Sequence, residues 1–475
     1  MKRQRPPFGR PAIGIFQERV MARLFDGFVA LEMVVLGILE ISLCFLVFYI
    51  LLLPGDVVAT AVPQGFLGLH HVTANHAAIL SLTIGVISMT IGMYRPEICL
   101  QTRRLLVNSV VAGVLAFPAI LALSVVTDLD PSFILGQDAL WPMKILLSWI
   151  LLLFITRLCF RVVLRSGMLS RRVLIVGSKL QAAETEAAIR SMRRGFFSLA
   201  GVIDPAEAAS LTPPALRLRR IWGVIVTHDA LPARATLSAA LGVGSRPRLF
   251  DDVSFREQQL RRLDLAQLAP GWLNGLERPG RAAQALRRTA DIAISLAILA
   301  LTLPVIAAAA LLVWFTSPGP ILYRQVRVGL QGRPFTLFKF RSMQVNAEAM
   351  GPAWASRQDP RVTAWGRIMR RTRIDELPQL FNVLRGEMSM VGPRPERPHF
   401  VEQLDSEIPF HCDRTHVKPG ITGWAQVNYP YGASVEDARQ KLSYDLYYVK
   451  HRNLLLDVTI LLATVRVILF QEGAR

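Results

Sequence analysis

The chain has 475 residues, 52% of them hydrophobic, with a mean hydropathy of +0.36, yet 54 Lys and Arg outnumber 35 Asp and Glu for a formal net charge of +19. A composition both apolar and basic points to a membrane protein whose spans carry positive flanks, with membrane rather than nucleic acid as the expected partner, and the length allows more than one core. The four cysteines (Cys44, Cys99, Cys159 and Cys412) form no CxxC pair and two of them lie inside apolar runs, so neither a disulfide framework nor a zinc site is indicated.

Four apolar stretches come first: Phe28 to Leu53, Ala77 to Met93, Leu105 to Val126 and Trp141 to Phe160. Each approaches the length a helix needs to cross hydrocarbon. Basic residues flank them at Lys2 to Arg23, at Arg95 to Arg104 and at Arg157 to Arg172, whereas the loops Pro54 to His76 and Thr127 to Leu140 carry no Lys or Arg. The positive-inside rule then puts both ends of a four-helix region, residues 1–168, on the cytoplasmic side. The first stretch is too long and too deep for a cleaved signal peptide and reads as an anchor. His70-His71 and Asp128-x-Asp130 fall in the outward loops, and such short pairs arise often by chance, so no metal role is assigned to them.

Residues 169–256 change to an α/β texture. VLIVG (Val173 to Gly177), LAGVID (Leu199 to Asp204) and WGVIV (Trp222 to Val226) read as strands, with a helix over Leu180 to Met192. The half is Rossmann-like, but the turn after Gly177 runs SKLQAA and lacks the further glycines that let a backbone approach a pyrophosphate, so no dinucleotide site is expected. Residues 257–285, punctuated by Pro270, Gly271, Gly275, Pro279 and Gly280, read as a linker.

IAISLAILALTLPVIAAAALLVWF, Ile292 to Phe315, is long enough to span, but arginines lie on both sides of it and Pro304 sits near its middle. Proline removes a backbone donor and bends a helix, so the expectation is a re-entrant helix over 291–317 that returns to the leaflet it entered, with Thr302 accommodating a freed backbone group. The last apolar run, Leu454 to Phe470, is short and interrupted by Asp457 and Arg466, which suits an interfacial helix.

Between these runs lie the motifs that carry chemistry, in a C-terminal region 286–475. PFTLFKFRSM is strand-like and alternation would put Lys339 and Arg341 on one face, either solvated or around a phosphate. In RIDELPQLFNVLRG, Leu377, Leu380, Phe381 and Leu384 recur at helical spacing until Gly386. Asp375 thus stands at a helix start, where the macrodipole and Arg370, Arg371 and Arg373 are expected to keep it ionised. Adjacent Glu376 projects elsewhere, which suits one carboxylate attacking and the other binding a divalent cation; the competing reading is a simple helix cap. Pro393 and Pro395 stiffen the backbone around Arg394, a guanidinium suited to bidentate phosphate recognition. VKPGITGWAQVN, Val417 to Asn428, is by itself a structural turn.

Taken together, LFKFRSM, RIDELPQLFNVLRGEMSMVGPRP, VKPGITGWAQVN and KLSYDLYYVKHRNLLLDVTILL resemble the bacterial sugar transferases, the monotopic polyprenyl-phosphate phosphoglycosyl transferases, over about Arg287 to Phe470. The four-helix region plus nucleotide-fold module is similar to the large members of that family, which initiate exopolysaccharide or O-antigen repeat units, and YPYGASVEDARQKLSYDLYYVKH is similar to the exopolysaccharide subgroup. The resemblance implies transfer of a sugar 1-phosphate from a UDP-sugar, with glucose the expected hexose, to undecaprenyl phosphate, releasing UMP, with Mg²⁺ at the site. It implies Asp375 as nucleophile, Glu376 as metal ligand, Arg370 and Lys339 as phosphate contacts, Arg394 near the donor nucleotide and Pro304 as the helix break, although Leu303 stands where small members carry serine. The expected setting is the bacterial inner membrane, multi-pass, with the catalytic region on the cytoplasmic face and a homodimer possible as the assembly. A non-catalytic scaffold of a polysaccharide assembly complex is the alternative.

Overall fold

The computed structural model describes residues 31–52, 71–94, 105, 107–116, 141–166, 170–191, 197–241, 247–276, 280–316, 318–344, 347, 359–429, 432 and 434–470. The chain divides into two compact units, Met1–Asp251 and Asp252–Arg475.

In the first unit, α1 (Leu31–Leu52), α2 (His71–Thr90), α3 (Val107–Ala116) and α4 (Trp141–Arg165) are apolar helices. Windows within α1 and α4, Met33–Leu51 and Met143–Val163, are long and apolar enough to cross a membrane; α2 and α3 provide shorter apolar segments. The expected third span is described only at 105 and 107–116, and the basic flanks at Lys2 to Arg23 and Arg95 to Arg104, His70, Asp128 and Asp130 lie outside the described residues. His71 opens α2 instead of lying in a loop. Helix α1 packs on α2 and α4, and the contact with α4 holds a buried ion pair: Arg157 Nη2 lies 3.0 Å from Glu40 Oε2, while Thr156 Oγ1 donates to Glu40 Oε1 at 2.7 Å. A charge inside an apolar bundle survives only when so paired.

The same unit contains a parallel sheet in the order β2-β1-β3-β4, from β1 (Arg171–Val176), β2 (Phe197–Ile203), β3 (Ile221–Val226) and β4 (Arg248–Asp251). Three strands follow the apolar runs; β4 has too short a run to be seen in sequence. Helices α5 (Lys179–Ser191), α6 (Pro213–Leu218) and α7 (Leu231–Leu241) connect them, and Leu174, Val176, Leu216, Val224, Val226 and Leu237 form the core of one face. A Cβ on Gly177 would lie 1.8 Å from Thr227 Oγ1, so this glycine serves close packing of the loops after β1 and β3. The Ser178 amide at the start of α5 donates to Asp229 Oδ2 at 2.8 Å, so a carboxylate of the chain itself stands at this helix start.

The second unit begins earlier than the sequence suggests. Residues read as a linker are packed into it. Helix α8 (Asp252–Leu260) buries Phe255, and its Glu257 pairs with Lys450 Nζ at 2.8 Å and His451 Nε2 at 2.5 Å. Trp272 Nε1 donates to Asp413 at 2.7 Å, and Trp424 Nε1 donates to the Arg261 carbonyl at 2.9 Å. Glycine and proline there mark irregular backbone held by side-chain hydrogen bonds, not a free spacer.

Helix α9 runs from Arg281 to Thr316, 36 residues, passing through Pro304 without a break in its assignment. The expected interruption is therefore at most a bend: proline deprives the Ala300 carbonyl of its donor, and Thr302 Oγ1 donates to the Ile298 carbonyl at 2.7 Å. The helix also starts ten residues before the expected 291. Both arms pack on this one unit. On the first arm Asp291 accepts from Ser389 Oγ at 2.9 Å and from the Met390 amide at 2.9 Å, and Arg288 donates to the Val383 and Leu384 carbonyls at 2.5 and 2.6 Å. On the second arm Ala309 and Val313 join Phe340 and Met369 in a buried cluster. Between them Leu301 and Leu303 are 81% and 63% exposed.

The rest of the unit comprises the hairpin β5 (Leu322–Val328) and β6 (Pro334–Phe340), helices α10 (Ala364–Thr372), α11 (Gln379–Arg385) and α12 (Pro398–Glu407), the parallel pair β7 (Ser389–Val391) and β8 (Gly420–Thr422), and then α13 (Trp424–Asn428), α14 (Val435–His451) and α15 (Leu454–Phe470). In α15 the two polar residues that interrupt the apolar run face inward. Asp457 accepts from Arg287 Nε and from Tyr448 Oη, both at 2.8 Å, and Arg466 is also buried, while Leu455, Val458, Val465 and Ile468 are exposed.

Candidate active site

Asp375 and Glu376 do not open a regular α-helix. They sit in a 3-10 turn, Ile374–Glu376, between α10 and α11. Thr363 caps α10 by accepting from the Gly366 amide at 2.9 Å, and Arg373 ends it in the left-handed region at φ 61°. A non-glycine residue there is strained by roughly 1–2 kcal/mol, and the reversal it makes turns both carboxylates into the unit. Gly366 permits the approach of α10 to the end of the hairpin, since a Cβ would lie 1.9 Å from the Ser342 carbonyl oxygen. From the other side, the Asn382 side chain of α11 accepts from the Phe338 amide at 3.1 Å and donates to the Thr336 carbonyl at 2.7 Å, clamping α11 to β6. That register brings Lys339 to the pair.

Three cations converge on one oxygen. Glu376 Oε1 accepts from Arg394 Nη2 at 2.7 Å and Lys339 Nζ at 3.1 Å, with Arg373 Nη1 at 3.5 Å. Burial alone would raise the Glu376 carboxyl, but Arg394, Lys339 and Arg373 outweigh it and hold the group well below the usual range. Asp375 has the opposite fate. Burial and the charge of Glu376 push it up to about 6, against the pull of Lys339, Arg370 and Arg373, and its Oδ1 is buried with no hydrogen-bond partner. Of the arginines expected to keep Asp375 ionised, Arg373 lies on its neighbour Glu376 and Arg370 donates to Ser342. The sequence shows the cluster; only the fold shows which carboxylate receives it.

Around the pair opens a cavity of about 1400 Å³ lined by twelve Lys and Arg against four carboxylates. Every expected catalytic and phosphate-binding residue lines it: Lys339, Arg341, Arg370, Asp375, Glu376 and Arg394. Arg341 lies one residue beyond the end of β6, and Arg370 donates from Nε to Ser342 Oγ at 2.9 Å. Pro304 is not among the lining residues, but Ile306 and Ala310 of the same helix are, so the wall of a basic cavity is continued by an apolar helix. Away from that helix the lining includes residues that sequence reading passed over: Arg327, Glu396, Arg414, Lys441 and Asp445. Arg414 Nη2 donates to Asp445 at 2.8 Å and to the Arg394 carbonyl at 2.9 Å, while Arg327 Nη1 donates to the Pro395 carbonyl at 3.1 Å. Two half-buried arginines therefore fix the Pro393-Arg394-Pro395 backbone and aim Arg394 at Glu376. Burial pushes Asp445 up to about 6 against the pull of Arg414. The one trace of this in sequence is a charge in the middle of SYDLYYV.

No group of three His, Cys, Asp or Glu suited to a metal occurs among the described residues. Mg²⁺ needs less, since it takes one or two carboxylates and fills its shell with water and substrate phosphate oxygens. The orphaned, buried Asp375 oxygen beside Glu376 fits that demand.

The sequence pattern of the bacterial sugar transferases matches residues 282–471. The undecaprenyl-phosphate transferase named for UDP-glucose and glucose 1-phosphate in Caulobacter vibrioides is 42% identical over 204 residues, 42% of this chain and 76% of its own length. The chain belongs to the bacterial sugar transferase family. Two further members show the range of the family. The UDP-N-acetylgalactosamine-undecaprenyl-phosphate N-acetylgalactosaminephosphotransferase of Aeromonas hydrophila is 48% identical over 190 residues, 40% of this chain and 45% of its own length. The undecaprenyl-phosphate glucose phosphotransferase of Komagataeibacter xylinus is 34% identical over 324 residues, 64% of this chain and 60% of its own. The matches thus span 45% and 60% of two of these sugar transferases and 76% of the third, and their names differ in the sugar.

Proposed function

We propose that this sugar transferase moves a sugar 1-phosphate from a UDP-sugar to undecaprenyl phosphate and releases UMP. The observation that carries the reading is the placement of Asp375: a buried carboxylate with an unpartnered oxygen, in a strongly basic cavity that an apolar helix helps to wall. Relatives named for this chemistry support it.

In the first step a carboxylate oxygen of Asp375 attacks the sugar-bearing phosphorus of the donor. The new P–O bond replaces the bond to UMP, and the electron pair leaves on the UMP oxygen. Arg370, Lys339, Arg341 and Arg394 line the path of the diphosphate and offset its charge in a site partly withdrawn from water. In the second step a phosphate oxygen of undecaprenyl phosphate attacks the same phosphorus, the bond to Asp375 breaks, and the carboxylate is restored with a polyprenyl diphosphate-sugar as product. When bound, Mg²⁺ held by Asp375 and Glu376 would neutralise diphosphate charge.

The lipid acceptor explains α9. We read it as bent at Pro304 and re-entrant, a reading supported by its two arms packing on one unit around an exposed apolar middle. Exposed Trp365 and Ile368 on α10 and the outward apolar residues of α15 suit the same interface. The setting proposed is the bacterial inner membrane, multi-pass, with this unit on the cytoplasmic face; a homodimer is the proposed assembly, glucose the first sugar to try, N-acetylgalactosamine the second, and exopolysaccharide assembly the process served.

Purified protein incubated with undecaprenyl phosphate, Mg²⁺ and a panel of UDP-sugars should release UMP with at least one donor, and Asp375→Asn should not. If the wild type forms neither UMP nor a lipid-linked sugar with any donor, the scaffold reading takes its place.

A further inference from the structure

The parallel sheet of the first unit gathers all its strand N-termini at one end, and that end carries an unusual set of side chains. Arg171 opens β1, Phe197 opens β2, Trp222 is second in β3 and Arg248 opens β4. The Arg171 guanidinium lies 5.0 Å from the centre of the Trp222 ring and that of Arg248 lies 5.7 Å from it, while Trp222 stacks on Phe250 at 5.4 Å. Beside this plate is the turn leading into β3. Arg172 Nη1 donates to the Arg219 carbonyl at 3.0 Å, and Ile221 pairs with Arg172 across the sheet, so Arg217 to Arg220 sit against the start of β1. Leu218, the last residue of α6 before that turn, is 85% exposed, and its chain neighbours Arg217, Arg219 and Arg220 are all exposed. A leucine held out in water in a run of three exposed arginines is costly beside water but suited to a lipid surface, where the apolar tip dips below the headgroups and the cations meet phosphates.

Chain connectivity says which surface is within reach. The apolar window of α4, Met143–Val163, belongs to a helix that ends at Arg165, and Arg171 opens β1. Six residue steps of extended chain reach about 20 Å. The plate therefore lies close to the point where α4 would leave a bilayer, and its sign is that which anionic headgroups attract. We propose that the N-terminal edge of this sheet, led by Leu218 with Arg217, Arg219 and Arg220, docks on the anionic phospholipid surface that α4 enters. The edge holds the α/β module flat on the membrane. The inference rests on α4 being membrane-embedded.

The test uses the full chain with Cys44, Cys99, Cys159 and Cys412 replaced by serine, in nanodiscs of phosphatidylcholine alone or with phosphatidylglycerol. An environment-sensitive dye is placed in turn at Leu218→Cys, at Leu180→Cys and at Leu147→Cys, and quenching by nitroxide-bearing lipid is read. Leu180 is equally exposed but lies just after the C-terminal end of β1, and Leu147 lies within α4. The dye at 147 should be quenched in both discs, and the dye at 180 in neither. The dye at 218 should be quenched severalfold more with phosphatidylglycerol than without, and this gain should vanish in the R217Q/R219Q/R220Q variant. A dye at 218 that stays unquenched with phosphatidylglycerol while 147 is quenched overturns the proposal, as does shielding from water without nitroxide quenching, which would mean that protein covers the edge. An unquenched dye at 147 overturns it differently, by removing the membrane placement of α4.

Discussion

Asp375 and Glu376 are adjacent in the chain and share one set of cations, yet the field divides them: one carboxyl is held well below its usual range and the other rises to about 6. The rate should follow the second. Asp375→Asn should lower UMP release at least about a thousandfold. The sign of its stability effect is opposite. A carboxyl whose folded pKa is raised favours the native state when protonated, and that contribution is lost as pH rises through about 6. Without Mg²⁺ the asparagine variant should therefore melt above the wild type at pH 8, with the gain shrinking as pH is lowered towards 4, a comparison that thermal denaturation in chelator at the two pH values makes directly. Arg414 illustrates a different dependence. Replacing it with alanine leaves Asp445 buried without its ion pair and frees the Arg394 carbonyl, so the expected loss is about 3–5 kcal/mol of stability, with a raised KM for the donor in whatever protein folds.

Helix α9 is where local sequence and tertiary contacts must be weighed together. A straight helix of 36 residues is about 54 Å long, enough to cross a bilayer with residues to spare. What argues for return is that Asp291 and Arg288 on one arm and Ala309 and Val313 on the other are all satisfied by the same unit. Single cysteines at Arg281 and Arg333 should consequently be labelled from the same side of the membrane in intact cells, and labelling from opposite sides would end the re-entrant reading. The Asp291 contact is polar and buried, so Asp291→Ala should cost about 1–3 kcal/mol by leaving the Met390 amide unsatisfied. Helix α15 teaches the converse lesson, because Asp457 and Arg466 look like interruptions in an apolar run but are the residues that face the protein.

For the whole molecule, the consequence of the packed segment after Asp251 is a different boundary for the catalytic unit. A fragment beginning at residue 252 retains the contacts of Glu257 with Lys450 and His451, of Trp272 with Asp413 and of the Arg261 carbonyl with Trp424; one beginning at 281 loses all of them. The longer fragment should purify as a folded detergent-soluble species with a higher melting temperature, by at least several degrees, than the shorter one. Equal melting temperatures would make the segment an ornament of the fold.

What the sequence by itself determined is what local chemistry can encode: apolar run lengths, the alternation in PFTLFKF, the helical spacing after Asp375, and motifs dense enough to name the family. Lys339, Arg341, Arg370, Asp375, Glu376 and Arg394, which line one cavity, each sit in such a motif. Tertiary structure decided the rest, since these properties depend on partners far apart in the chain. Which carboxylate the cations serve depends on Lys339, Arg373 and Arg394 meeting at one oxygen. Arg414 and Asp445 acquire meaning only when 31 positions of chain fold back to join them. The supposed linker becomes part of the catalytic unit because tryptophan and carboxylate partners over a hundred residues away are brought to it, and no local pattern records that pairing.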